Sequence, residues 1–292
     1  MSPRTVLVTG CSSGLGLHTA IAFAKAGDRV FATVRDAAGA SGLNAAARSA
    51  GVSLDIAALD VTRPESFGPF VRSVVARTGR LDVLVNNAGM LTVGAFEDHG
   101  EADLRRVMET NFFGPALLTR TVLPVMRRQR DGCVIMVSSL SGIAGRAGDA
   151  PYTASKFALE GLTEALRHEV ARWNIRTALV EPGRYPTNMF RATAGGDLGA
   201  CGVDSPYAPL IRSQQAQLRR QLGEGSDPSR FGDLLVEISR SDGTRFRWGD
   251  ELAERVRSRM WAQGDRERDA FLRQIGDVDW WIAGADAPAE TS

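Results

Sequence analysis

Short apolar runs alternate with longer stretches of helical periodicity through most of the chain. Thr5–Thr9, Arg29–Val34, Ser53–Leu59, Leu81–Asn86, Cys133–Ser138 and Ile175–Glu181 are rich in Val, Ile, Leu and Ala at most positions. A strand wetted on one face alternates apolar with polar residues, whereas a continuous apolar run fits a strand buried on both faces. The segments between the runs are long enough for crossover helices. The pattern therefore predicts an α/β fold, a Rossmann-like doubly wound parallel sheet with helices on both faces. Past Pro182 the rhythm changes. Gly195, Gly196, Gly199, Gly202, Pro206 and Pro209 precede a polar helical stretch, Arg212–Leu222, so a lid over about 188–225 is expected. Arg245–Trp248 reads as a last short strand and Glu251–Ile275 as a charged helix. No linker divides the chain, so residues 1–282 are expected to form one domain and 283–292 a disordered tail.

Composition narrows the function classes. The 292 residues carry 35 Lys plus Arg against 34 Asp plus Glu, a net charge of +1, which gives no electrostatic reason to expect nucleic acid or an anionic membrane as partner. With 43% hydrophobic and 24% charged residues the balance is that of an ordinary globular chain. No run approaches the roughly 18 apolar residues of a spanning helix, and Met1–Thr9 leads into a strand pattern without signal-peptide anatomy. A soluble, cytoplasmic protein is the expectation. Cys11, Cys133 and Cys201 are odd in number and far apart, which supports neither a disulfide framework nor a metal site. His18, His99 and His168 lack metal-ligand spacing, so no metal is expected. Lys25 and Lys156 are the only lysines, so lysine-dependent chemistry has two candidates.

The first strand runs into Thr9-Gly10-Cys11-Ser12-Ser13-Gly14-Leu15-Gly16. Gly10 suits a tight turn, Gly14 allows backbone to approach a phosphate, and Gly16 lets the following helix pack close to the sheet. The helix N-terminus attracts a pyrophosphate. Cys11 reads as a small packing residue inside this turn. The second strand ends in Arg35-Asp36. An arginine there suits a 2′-phosphate, hence NADP(H), while a shift of one residue would place Asp36 to bind ribose hydroxyls and suit NAD(H). Tyr152 and Lys156 stand at i and i+4 of a helical pattern running to about Trp173, one turn apart on one face. A neighbouring cation favours phenolate and draws a tyrosine toward acid–base work. Ser139 ends the fifth strand, at the carboxyl edge of the sheet where ligands bind in open α/β folds.

In these motifs the chain resembles the short-chain dehydrogenase/reductase family, the branch with TGxxxGxG and YxxxK. The resemblance covers about residues 4–190, with Asp60-Val61, Asn86-Asn87-Ala88-Gly89, Asn111, Ser139, Tyr152, Lys156 and Pro182-Gly183 in order. The opening TGCSSGLGLH, followed by ATVRD, is similar to NADP-preferring 17β-hydroxysteroid and retinol dehydrogenases. The resemblance implies a dinucleotide-binding and catalytic domain in which Tyr152 exchanges a proton with the substrate oxygen and Ser139 polarises the carbonyl. Lys156 would bind the nicotinamide ribose and lower the tyrosine pKa, and Asn111 would hold a water linking Lys156 to solvent. Gly10, Ser12, Ser13, Gly14, Leu15 and Gly16 would take the pyrophosphate, and Arg35 the 2′-phosphate. Asp60 and Val61 would flank the adenine, Asn87, Ala88 and Gly89 would border the adenosine ribose, and Pro182, Gly183 and Thr187 would orient the carboxamide. Arg184-Tyr185 depart from the small or aliphatic residues usual at that point.

The substrate site is expected between residues 140–149, 90–95 and the lid. Leu140, Leu91, Val93, Tyr185, Met189 and Phe190 would form an apolar wall, and Arg146, Asp149 or Arg191 would read polar groups. A bulky, mainly hydrophobic ketone or secondary alcohol follows, steroid-, polyketide- or lipid-like. The resemblance also implies a homodimer or homotetramer through Asp103–Arg128 and Pro151–Trp173. Sugar-nucleotide epimerases carry the same tyrosine and lysine but a different glycine spacing. A catalytically silent dinucleotide sensor would not need Tyr152 and Lys156, both of which are present.

Overall fold

The computed structural model describes residues 3–190, 199–223 and 225–286. Arg191 and the Gly195-Gly196 pair of the expected lid, and residues 287–292 of the expected tail, lie outside the described residues. The strands are β1 (Thr5–Val8), β2 (Arg29–Val34), β3 (Asp55–Ala58), β4 (Val83–Asn86), β5 (Gly132–Val137), β6 (Ile175–Glu181) and β7 (Arg247–Gly249). They form one parallel sheet in the order β3-β2-β1-β4-β5-β6-β7. The order reverses direction after β1, and the crevice at the carboxyl ends of β1 and β4 is the switch point of a doubly wound sheet.

Both faces of the sheet are covered, as the continuous apolar runs predict. Along β1, Val6 and Val8 pack with Phe23 in one core cluster, while Leu7 packs with Leu84, Leu118 and Met136 in the other. The first cluster lies under α1 (Gly14–Lys25); the second lies under α3 (Phe67–Thr78), α5 (Gly114–Gln129) and α6 (Ala150–Val170), with α2 (Ala40–Ser49) and α4 (Glu101–Met108) completing the N-terminal crossovers. Helix α6 opens with Pro151 in its first turn, where proline needs no donor.

The C-terminal part departs from expectation at three points. The single charged helix over 251–275 is two, α9 (Glu251–Ala262) and α10 (Asp265–Gly276), because Gln263 and Gly264 take extended backbone between them. A helix that the pattern reading missed, α8 (Pro228–Arg240), follows α7 (Ala208–Gly223) and supplies the crossover between β6 and β7. Its start is marked in the sequence: Asp227 caps the Ser229 amide at 2.9 Å, Pro228 stands in the first turn, and Phe231, Leu235 and Ile238 bury one face. Residues 283–285 close a last turn, α11 (Asp279–Ile282), with the Ala285 amide donating to the Trp280 carbonyl at 2.9 Å.

Helices α1 and α8 cross closely at Gly232, where a Cβ would lie 2.6 Å from the His18 carbonyl oxygen and 2.8 Å from the Ala22 Cβ. Both obstacles belong to a packed helix, so neither can swing aside. Gly232→Ala is expected to lower stability by about 1–3 kcal/mol despite its better helix propensity; a midpoint in chemical denaturation equal to or above the wild type would contradict this packing.

Candidate active site

At the carboxyl edge of the sheet a cavity of ≈ 930 Å³ runs from the β1–α1 turn to the N-terminal turns of α6. Its lining brings together Gly10, Ser12, Ser13, Gly14, Leu15, Gly16, Arg35, Asp60, Val61, Asn87, Ala88 and Gly89 at one end. Ser139, Tyr152, Lys156, Pro182, Gly183, Thr187, Tyr185 and Met189 lie at the other. Two expected residues border it differently. Leu140 faces a second cavity of ≈ 120 Å³ that shares Ser139, Pro182, Gly183 and Tyr185 with the first. Asn111 is fully buried behind the cleft.

The glycine-rich turn is shaped by close approach. Gly10 takes φ +71, and a Cβ there would lie 2.8 Å from the Ala88 Cα. A Cβ on Gly16 would run into the Gly10 carbonyl and the Asn87 amide. Asn87 holds this contact by donating to the carbonyls of Thr9 (2.8 Å) and Gly10 (3.2 Å), while the Thr9 hydroxyl accepts from the Asn87 and Ala88 amides at 3.0 Å. Helix α1 begins at Gly14 with no side-chain cap on its first amides, which leaves donors and the positive end of the helix dipole facing the cleft. These features fit an anionic dinucleotide. Cys11 is a packing residue: it is buried, its thiol donates to the Val8 carbonyl, and burial pushes its ionisation far up.

The Arg35 side chain is 80% exposed at the cleft wall, with Asp36 3.7 Å away as its ion-pair partner. One Asp36 oxygen accepts the Gly39 amide at 3.2 Å. The Asp60 carboxylate is held by the Thr62 amide and hydroxyl at 2.9 and 2.8 Å, which fixes the end of the loop before α3.

At the other end Tyr152, Lys156 and Ser139 are 5%, 4% and 7% exposed. Burial pushes the Tyr152 phenol up to about 12; the Ser139 hydroxyl pulls it down, the Asp149 carboxylate pushes it up and the Arg146 guanidinium draws it back. The sequence reading assigned the downward pull to Lys156. In the structure the Lys156 amine donates to the Val137 carbonyl at 2.9 Å and lies 5.6 Å from the centre of the Tyr152 ring. Burial lowers Lys156 to about 8, with Glu160 opposing.

Asn111 stands in a π-helical turn, Glu109–Phe113, that joins α4 to α5. Its side chain is spent on protein partners: the oxygen accepts the Met90 amide at 2.8 Å, and the amide donates to the Met90 carbonyl and the Ser155 hydroxyl. It thereby ties the loop after β4 to α6.

The expected apolar wall is drawn together only in part. Tyr185 and Phe190 line both cavities, Met189 the larger and Leu140 the smaller. Leu91 and Val93 line neither; Val93 packs with Cys201, Ala208 and Ile211 of the segment expected as a lid. Tyr185 also enters the core, its ring 5.6 Å from that of Phe231. The sequence reading missed the far wall of the smaller cavity, Leu218 of α7, Leu252 and Val256 of α9, and Ile275 of α10. It also missed a buried charge cluster. Glu181 is fully buried at the end of β6 and accepts from Arg247 at 2.8 Å and from Arg257; Arg247 reaches on to Glu160 and Glu164 of α6.

Among the described residues, no group of His, Cys, Asp and Glu could hold a metal ion and no helix is long and apolar enough to cross a membrane. A family model described as short chain dehydrogenase matches residues 4–196. The chain is 45% identical to retinol dehydrogenase 8 of Homo sapiens over 64% of its length and 61% of that protein's. It is 35% identical to estradiol 17-beta-dehydrogenase 1 of Rattus norvegicus, over 85% of this chain and 74% of the other. An actinorhodin polyketide ketoreductase solved with NADPH superposes with a TM-score of 0.74 at 30% identity, covering 85% of this chain and 95% of the other.

Proposed function

The chain belongs to the short-chain dehydrogenase family and is an oxidoreductase of that family, and from that premise we propose an NADP(H)-dependent enzyme that interconverts a ketone and a secondary alcohol. The substrate would be a bulky, mainly hydrophobic small molecule. One observation carries the reading: a single cleft joins an uncapped helix N-terminus, a solvent-facing arginine and a buried Tyr-Lys-Ser group. The retinol, estradiol and polyketide chemistry in the names of its relatives supports a large apolar carbonyl or alcohol.

A bound nicotinamide would supply or accept the hydride. The chain's own part is to hold a proton and fix the carbonyl. Burial keeps the Tyr152 phenol protonated, which suits it as the acid in reduction; in oxidation its phenolate form would be the base that takes the alcohol proton. Ser139, beside it at the end of β5, donates to the carbonyl oxygen and sets its position. Lys156 contacts the nicotinamide ribose, and Asn111, through Met90 and Ser155, keeps the loop after β4 and α6 in register. Pro182, Gly183 and Thr187 border the carboxamide; Leu140, Tyr185 and Met189 contact the substrate. Arg35 reads the 2′-phosphate, with Asp36 turned toward the Gly39 amide. We assign the protein to the cytoplasm and to a homodimer or homotetramer, the latter supported by Phe113 and Phe157, exposed at 42% and 46% on the helical segments 103–128 and 151–173.

Titration with NADPH and NADH, followed by nicotinamide fluorescence, tests the cofactor. Arg35→Leu is expected to weaken NADPH binding about ten- to a hundredfold, the loss of a charge-assisted contact, with little change for NADH. Equal NADPH binding by the variant would move the preference to another residue. Tyr152→Phe should keep cofactor affinity and lose about 10²–10⁴-fold in kcat; near-wild-type turnover would remove Tyr152 from proton transfer. Finally, kcat/KM for the cofactor reports the free enzyme. It should fall as pH rises through about 8, where Lys156 loses its charge. Lys156→Arg, charged throughout, should lack that limb, and an unchanged profile would exclude Lys156 as its source.

A further inference from the structure

The smaller cavity shares Ser139 with the cleft and is walled largely by apolar side chains, yet Arg146, Asp149, Arg184 and Gln221 also border it. Asp149 is 3% exposed and already held: the Thr153 hydroxyl donates to one oxygen at 3.0 Å and the Ser141 hydroxyl to the other at 3.3 Å. Arg146 is less well served. Its Nε lies 3.5 Å from the Asp149 carboxylate, beyond the roughly 2.7–2.9 Å of a charge-assisted hydrogen bond, and is buried without a hydrogen-bond partner. The side chain is 27% exposed, and its guanidinium makes no hydrogen bond to a described residue. A guanidinium on an apolar wall with donors to spare calls for an acceptor that the protein does not provide.

Where that acceptor would sit follows from two further facts. Arg146 lines the same small cavity as Ser139, which also borders the cleft with Tyr152 and Lys156, and that cavity of ≈ 120 Å³ holds only part of a molecule. The acceptor therefore belongs near the reacting carbon. Its charge follows as well. Asp149 lies 3.5 Å from Arg146 and offsets it, and Arg184, the second guanidinium on this wall, has a partner of its own, so neither calls for a full negative charge.

Building on the ketone–alcohol reading above, we infer that the substrate carries a second, uncharged oxygen, a hydroxyl or carbonyl, near the reacting carbon, and that this oxygen accepts a hydrogen bond from Arg146. Arg146 is then a specificity-determining residue, and a purely hydrocarbon ketone is the poorer ligand because it leaves the guanidinium unpaired.

The test uses the full chain saturated with NADP⁺ and three rigid probes: 1-decalone, 3-hydroxy-1-decalone and 6-hydroxy-1-decalone. Binding is measured by calorimetry and turnover with NADPH separately. The wild type is expected to bind at least one hydroxylated probe about tenfold or more tighter than the parent. In Arg146→Met that ratio should fall to near one, through weaker binding of the hydroxylated probe. Arg146→Lys should restore part of it. NADP⁺ affinity of each variant checks that the cofactor half is folded. No preference in the wild type, or a preference that survives in Arg146→Met, overturns the inference. Preferential binding without any turnover leaves the inference standing and defeats the redox reading; turnover of all three at equal efficiency and affinity does the reverse.

Discussion

The carboxylate of Glu181 has no access to solvent, and the arrangement of the C-terminal third follows from how it is paired. Arg247 of β7 and Arg257 of α9 both bind it, and Arg247 extends to Glu160 and Glu164 on the helix that carries Tyr152 and Lys156. Stripping water from so many charges is costly, and matched apolar residues would often do as well for stability. An unmatched charge here would cost about 3–5 kcal/mol. The cluster therefore acts as a register: β7 and α9 have one position in which every partner meets. Pro182 and Gly183 follow Glu181 directly, and a Cβ on Gly183 would collide with Asp250, the N-cap of α9. The bend that borders the cleft is thus bracketed by charge on one side and close packing on the other.

The same removal of water sets the chemistry a few residues away. Cys11, Tyr152, Lys156 and Asp149 are all buried, and in each the largest influence on ionisation is the loss of solvent, which favours the neutral form. For Tyr152 this means a phenol that holds its proton until a bound oxygen asks for it. For Lys156 it means a cation poised closer to neutrality than an exposed lysine. The pair sits one helical turn apart, yet burial governs each first, followed by Ser139, Asp149 and Arg146 for Tyr152 and by Glu160 for Lys156.

What the sequence disclosed follows the reach of its signals. Continuous apolar runs told of a sheet buried on both faces, and the runs at Thr5–Thr9 and Cys133–Ser138 place the glycine turn and Ser139 on its carboxyl edge. The residues that motif spacing pointed to on the dinucleotide side all line one cleft. Helix α8 was legible too, through Asp227-Pro228 and the spacing of Phe231, Leu235 and Ile238, but glycine and proline in the preceding stretch drew attention to a lid instead. The far wall of the smaller cavity was not legible. Leu218, Val256 and Ile275 come from three different helices, and nothing in local periodicity says which of their faces meet Ser139. Glu181 and Arg247 are likewise far apart in sequence, and an arginine-rich chain gives no hint of which arginine is buried.

The scarcity of lysine has a practical side. Lys156 is nearly inaccessible at the floor of the cleft, while Lys25 is exposed at the last turn of α1. That helix starts at the glycine turn and runs 12 residues away from it, about 18 Å. An amine-reactive dye or surface linker therefore meets one exposed lysine side chain among the described residues, and it lies at the far end of α1. Attached through Lys25, the protein would be presented in a single orientation with the mouth of its cleft unobstructed.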